Sequence, residues 1–151
     1  LHREYLNISE YLEEVMKQTI QIFNLKQKVV LDIQPNVFFD IDKTTFPSII
    51  LNLFENAVKY SPEDSMIKVS LKEEGNGIVL SVADEGAGIS EEEKQNIFKK
   101  FYRIGSEEIR KTKGTGLGLY IVKYLVEKHG GTILVKNNSP RGSIFEVILR
   151  G

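Results

Sequence analysis

The chain has 151 residues, 41% hydrophobic and 27% charged, which is enough for one domain with its own core and has the balance of a soluble globular protein. A formal net charge of -1 from 20 basic and 21 acidic residues gives no global field for nucleic acid, and no apolar run reaches the roughly 20 residues of a membrane span. With no cysteine there is no disulfide, thiolate nucleophile or cysteine zinc site, so any metal would rest on oxygen ligands.

The chain starts at Leu1 without a signal-peptide pattern and reads as a piece of something longer. Asn7 or Ser9 can cap a first helix running to about Asn24, with Ile8, Leu12, Val15, Met16, Thr19 and Phe23 at helical spacing. Alternation predicts a half-buried strand over Lys28 to Gln34, closed by Pro35-Asn36, and a short second one over Val37 to Ile41. A central helix should begin near Phe46, capped from Thr44 or Thr45, and carry the stretch from Ile49 to Pro62. Met66 to Glu73 and Ile78 to Asp84 read as a hairpin about Glu74-Gly75-Asn76-Gly77. Ser90 and Glu93 form a capping box expected to open a helix through Phe101, followed by a polar connection from Tyr102 to Lys113. Thr115 to His129 has a helical pattern stopped by Gly130, and Thr132 to Lys136 and Ser143 to Leu149 are strands around the turn 138–142. This order predicts an α/β two-layer sandwich over residues 1–151, a mixed, mostly antiparallel sheet covered on one face by about three helices.

Three stretches carry residues that packing does not require. In the central helix Ile49, Ile50, Leu53, Phe54 and Ala57 form a core stripe, while Asn52, Asn56 and Lys59 align on another face at i, i+4 and i+7. Asparagine is a mediocre helix former, so a polar ligand would explain the pair; a merely solvated face is the alternative. Asp84 continues the buried row Ile78, Leu80 and Val82. A buried carboxylate costs several kcal/mol unless hydrogen-bonded, so it needs donors, and the exocyclic amine of a purine would serve. Gly86 and Gly88 would let such a ligand approach the backbone; the competing reading is an Asp that caps the following turn. Lys113 to Leu119 runs through glycines into a helix, whose free N–H groups suit a phosphate, although it matches neither the Walker loop nor the dinucleotide fingerprint.

In this order the three stretches resemble the nucleotide-binding signature of the histidine-kinase catalytic domain, in the superfamily of gyrase, Hsp90, histidine kinases and MutL. The asparagine box stands as Asn52-Leu-Phe-Glu-Asn56-Ala-Val-Lys59-Tyr60-Ser, and the glycine boxes as Asp84-Glu-Gly86-Ala-Gly88-Ile89 and Gly114-Thr115-Gly116-Leu117-Gly118-Leu119. Ile97-Phe98-Lys-Lys-Phe101-Tyr102-Arg103 resembles the phenylalanine box of histidine kinases, and His129-Gly-Gly-Thr132 and Gly142-Ser143-Ile-Phe145 also match. The resemblance implies a Bergerat-type ATP-binding fold with ATP and Mg²⁺ as ligands. By this likeness Asn56 would hold Mg²⁺ through its amide oxygen, with Asn52, Lys59 and Arg103 near the triphosphate. Tyr60 would flank the adenine, Asp84 would accept from its amino group, and Gly86, Gly88, Ile89 and Ser143 would lie near the base. Gly114, Thr115, Gly116, Leu117, Gly118 and Leu119 would form a lid hinge at the phosphates.

Superfamily members that activate water or serine are similar in placing Glu four residues before the metal-binding Asn; this chain has Asn52 there, and Glu55 points a quarter turn away from Asn56. The resemblance therefore implies transfer of the γ-phosphoryl group to a histidine on a separate dimerisation domain, and onward to a response regulator. An anti-sigma-type serine kinase or a non-catalytic nucleotide-sensing module are the alternatives. Neither His2 nor His129 lies in a His-Glu-x-x-x-Pro context, so the acceptor is expected elsewhere. His129 reads as a packed helix-end residue favoured in its charged form by the helix dipole, and Arg110 to Lys113 as a solvated charge run. The likeness further implies a cytoplasmic, monomeric piece of a homodimeric parent, with no nucleic-acid partner.

Overall fold

The computed structural model describes residues 1–104 and 117–151. In chain order the elements are β1 (Arg3–Asn7), α1 (Ile8–Ile22), β2 (Lys28–Ile33), β3 (Phe38–Asp42), α2 (Phe46–Tyr60), β4 (Met66–Glu74), β5 (Gly77–Ala83), α3 (Glu91–Lys94), α4 (Gly118–Lys128), β6 (Thr132–Asn137) and β7 (Ser143–Leu149). Five strands form one sheet in the order β2-β4-β5-β7-β6, and β1 and β3 form a separate ribbon. Within the large sheet β2 and β4 run parallel, and the other pairs are antiparallel.

Period-two alternation decides which side of the sheet is covered. Ile67, Val69 and Leu71 on β4, Ile78, Leu80 and Val82 on β5, and Phe145, Val147 and Leu149 on β7 are buried in one core. They pack with Leu12 and Met16 of α1, Ile49, Ile50, Leu53, Phe54 and Ala57 of α2, and Val122 and Val126 of α4. Each such large side chain contributes about 1.5–3 kcal/mol by leaving water. The opposite face carries Asp32, with Lys68 at 3.6 Å and Lys72 at 3.1 Å. These exposed ion pairs add little. The fold class is as the sequence predicts, with four helices among the described residues.

Two boundaries differ from expectation and one element is new. The helix expected to run to Phe101 stops at Lys94. After Ser90 Oγ accepts from the Glu93 N–H at 3.1 Å, the chain tightens into three-residue hydrogen bonds, Asn96 to Glu93, Lys99 to Asn96 and Tyr102 to Lys99. Phe101 then takes φ 69°, which no helix admits. The last helix is described from Gly118, with Leu117 as its N-cap. Strand β1 carries no clear signal over its five residues; it exists because β3 pairs with it, Arg3 opposite Asp42. Asn7 supplies the cap of α1, accepting from Glu10 N–H at 3.1 Å. Ser9 instead donates to the Gln34 carbonyl at 2.5 Å and accepts from the Val37 N–H.

At the far end of α4, Gly130 has φ 73°, and the N–H groups of Gly130 and Gly131 return to Glu127 and Val126 in a Schellman motif. His129 is 4% exposed. Its Nε2 accepts from Asp42 N–H at 3.3 Å and its Nδ1 pairs with the Leu125 carbonyl at 2.9 Å, so the ring is read as the neutral Nδ1–H tautomer.

Candidate functional site

The last turn of α2 faces the segment that follows β5. Pro62 disfavours helical backbone at the residue before it, and Ser61 is extended (φ -104°, ψ 143°), so α2 ends at Tyr60. Gln27 Nε2 donates to the carbonyls of Val58 and Ser61, both at 3.1 Å, and satisfies that helix end. Across from it lies a cleft of about 500 Å³, solvent space included, walled by Asn56, Tyr60, Asp84, Gly88, Ile89 and Ser143. Six of the residues expected from sequence are thus brought together.

Asp84 is 4% exposed. Its Oδ1 accepts from the N–H of Gly86 at 2.9 Å and of Ser143 at 3.3 Å, while its own N–H donates to the Ser143 carbonyl at 2.8 Å. Oδ2 accepts no hydrogen bond from the described residues. Burial pushes the carboxyl above its ordinary range, and the two backbone donors pull in the other direction. One oxygen is therefore fixed by main chain, leaving the other to serve a ligand donor. The turn-capping alternative is half right, since Gly86 N–H is the donor such a cap uses.

Gly86 stands beneath the cleft and does not line it. A Cβ there would lie 2.4 Å from the Tyr60 carbonyl, so the close approach it permits is between two protein segments. Gly142 makes a tighter approach: its φ is 106° and a Cβ would lie 1.9 Å from the Asp84 carbonyl.

The cationic residues gather beside Tyr60. Lys59 Nζ lies 5.2 Å from the Tyr60 ring centroid. Burial, and then the Arg103 guanidinium, hold the Lys59 ammonium below the usual lysine value, with Glu55 acting oppositely. Two cations close enough to oppose each other form a place that an anion would relieve. Burial raises the Tyr60 hydroxyl, Arg103 lowers it and Glu93 raises it.

Asn52 does not line the cleft. Its Nδ2 donates back to the Ser48 carbonyl at 2.7 Å, and its Oδ1 would lie 3.2 Å from a Cβ placed on Gly118. Gly118 thereby lets α4 meet α2 at the asparagine face. Leu117 is half-buried at the α4 cap, and Leu119 is buried in the core and absent from the cleft wall. Gly114, Thr115 and Gly116, with the charge run from Arg110 to Lys113, lie outside the described residues.

Ala87, Glu93, Ile104 and Phe145 complete the wall and were not anticipated as site residues. Phe145 packs edge-on against Phe98 with centroids 6.2 Å apart. Alternation on β7 marks Phe145 only as core, and Ile104 only breaks a polar run; neither signal says that the apolar side chain borders a cleft. Together with Ile89, Ile104 and Phe145 give the cleft an apolar part of its wall. Among the described residues there is no group of three or more His, Asp or Glu able to cage a metal. Asn56 brings an amide oxygen to the cleft wall, a hard donor that could hold Mg²⁺ completed by phosphate and water. No described helix is long and apolar enough to cross a membrane.

Residues 41–151 match the family model described as histidine kinase-, DNA gyrase B-, and HSP90-like ATPase. The sensor protein KdpD of Clostridium acetobutylicum is 36% identical over 141 residues, covering 91% of this chain and 16% of that protein. The chain thus spans a small part of that relative's length. The catalytic domain of histidine kinase ThkA superposes with a TM-score of 0.83 at 26% identity, covering 99% of this chain and 97% of that one. Full-length ShkA, solved in complex with AMPPNP, superposes with a TM-score of 0.80 at 25% identity, covering 99% of this chain and 31% of that one.

Proposed function

Because the chain belongs to the histidine kinase-, DNA gyrase B-, and HSP90-like ATPase family, we propose that it is the catalytic unit of a sensor histidine kinase, binding Mg²⁺-ATP and presenting the γ-phosphoryl group to a histidine on a separate domain. The observation that carries this is Asp84, whose Oδ1 is held by main chain and whose Oδ2 accepts from no described residue, in a cleft that Asn56, Tyr60 and apolar side chains also wall. Lys59 and Arg103 lie near each other outside that wall, with Lys59 beside the Tyr60 ring. An amine-bearing base fits the carboxylate, and a polyphosphate the two cations. ShkA, a structural neighbour, is described with the ATP analogue AMPPNP.

In this reading Asp84 Oδ2 accepts from the adenine amino group, and Tyr60, Ile89 and Phe145 exclude water from the ring. Asn56 would hold Mg²⁺ through its amide oxygen; bound there, the ion neutralises phosphate charge and sets the phosphate geometry. Lys59 and Arg103 orient the phosphate chain. No carboxylate occupies the position of Asn52, whose amide is turned back on its own helix, so the chain supplies positioning and charge, and the nucleophile comes from the acceptor histidine. The acceptor domain, a downstream response regulator and a dimeric parent belong to the same proposal.

Calorimetric titration with ATP and GTP, with and without Mg²⁺, tests the reading. Mg²⁺-dependent preference for ATP is expected, followed by phosphohistidine on a supplied acceptor domain. Labelled serine in place of histidine would favour a serine kinase, and binding without transfer to any acceptor would favour a nucleotide sensor.

A further inference from the structure

The turn between β6 and β7 lines no part of the cleft, yet its side chains reach the segment that carries Asp84. Asn138 Nδ2 donates to the Asp84 carbonyl at 2.8 Å, and Arg141 Nε donates to the Gly86 carbonyl at 3.0 Å. The turn holds Asn138 in place for this: its N–H donates to the Gly142 carbonyl at 2.9 Å, and its Oδ1 accepts from Ser139 N–H at 2.9 Å, which orients Nδ2 outward. Gly142, without a Cβ, brings the turn against the Asp84 carbonyl. Two consecutive stretches of main chain, the carbonyls of residues 84 and 86, are thus gripped from one side.

The grip bears on recognition through Gly86. Its N–H and that of Ser143 fix Oδ1, and this decides where Oδ2 points. The Gly86 N–H lies in the 85–86 peptide, between the two peptides whose carbonyls are held; if those turn, that donor moves and the carboxylate loses its single orientation. We propose that Asn138 and Arg141 are positioning residues that clasp the Asp84–Gly86 segment and set how strongly the site prefers a base bearing an exocyclic amine. The inference rests on the nucleotide reading above. Neither side chain touches the cleft, so replacing them removes no ligand contact.

The test compares ATP with purine riboside triphosphate, which lacks only the 6-amino group, by calorimetry with Mg²⁺ on the 151-residue chain and its variants. Asn138→Asp keeps the acceptor for Ser139 N–H but sets a negative carboxylate oxygen against the Asp84 carbonyl in place of the donor, and Arg141→Lys keeps a cationic donor. The variant carrying Asn138→Asp and Arg141→Ala is expected to lose about tenfold in ATP affinity while the analogue changes by less than about twofold. Arg141→Lys alone should retain the wild-type ratio. A ratio unchanged in the double variant, or equal weakening of both nucleotides, overturns the clasp. A wild-type chain with no preference for ATP over the analogue instead removes the role of Asp84 itself, and the clasp falls with it.

Discussion

The two ends of the cleft are fixed by different means. At Asp84 the polar atoms are held by main chain, with Gly86 and Ser143 N–H groups on one oxygen and β5 and β7 exchanging a further bond behind it. On the α2 side the groups are side chains of one helix, with Asn56 and Tyr60 in the cleft wall and Lys59 beside the Tyr60 ring, where Arg103 from beyond α3 opposes it. Main chain tied by hydrogen bonds has little freedom to lose, so in the proposed reading it suits the discrimination of one base from another. Rotatable cationic side chains can follow a flexible phosphate chain as it moves toward an acceptor. On the proposed function, specificity and charge handling would therefore rest on groups of different stiffness.

The largest expected effect strikes the stiff end. Asp84→Asn should weaken ATP binding by about a hundredfold by calorimetry, because an amide nitrogen facing the cleft meets the base amine donor to donor. Its thermal midpoint should hold or rise. The folded-state carboxyl is raised above its ordinary 3.8, so its stabilising share is present below that value and is lost as pH rises through the raised one. At neutral pH the charged form therefore costs stability, and Asn retains an acceptor for both N–H groups. A clear fall in the midpoint would undo the contrast. For the same reason ATP affinity should decline on acidification, starting above pH 3.8, as Asp84 takes up a proton.

Next comes Gly142→Ala, which should cost about 2–3 kcal/mol in urea unfolding, since φ is 106° and the new methyl would meet the Asp84 carbonyl. Lys59→Met should lower ATP affinity by about tenfold while slightly raising the midpoint of the nucleotide-free chain, because it removes one of two opposed cations. Equal loss of ATP and of adenosine would show that Lys59 serves the base end after all. The smallest effect is Gly118→Ala, within about 0.5 kcal/mol: the methyl approaches only the Asn52 side chain, and alanine favours the helix.

Much of this was legible in the residue order. The stripe of α2, the alternation in β4, β5 and β7 and the Gly130 cap are local patterns, and the structure reproduces them. The capping box at Ser90 misled about length because it specifies how a helix begins and not where it ends; α3 stops at Lys94. Gly86 was recognised as a close-approach glycine and assigned to a ligand, since sequence does not say which backbone comes near; that backbone is Tyr60.

By itself the sequence determined the periodicities, the buried row ending in Asp84, and the asparagine and glycine boxes that mark the family. These are interactions within a few residues, where spacing alone fixes which side chains share a face. Only the tertiary structure decided that Ser143, 59 residues on, donates to Asp84, that β1 exists because β3 pairs with it, and that His129 accepts from Asp42 across 87 residues. Such contacts form only once long loops close and the whole core packs, so their partners are set by the global fold and leave no local signal.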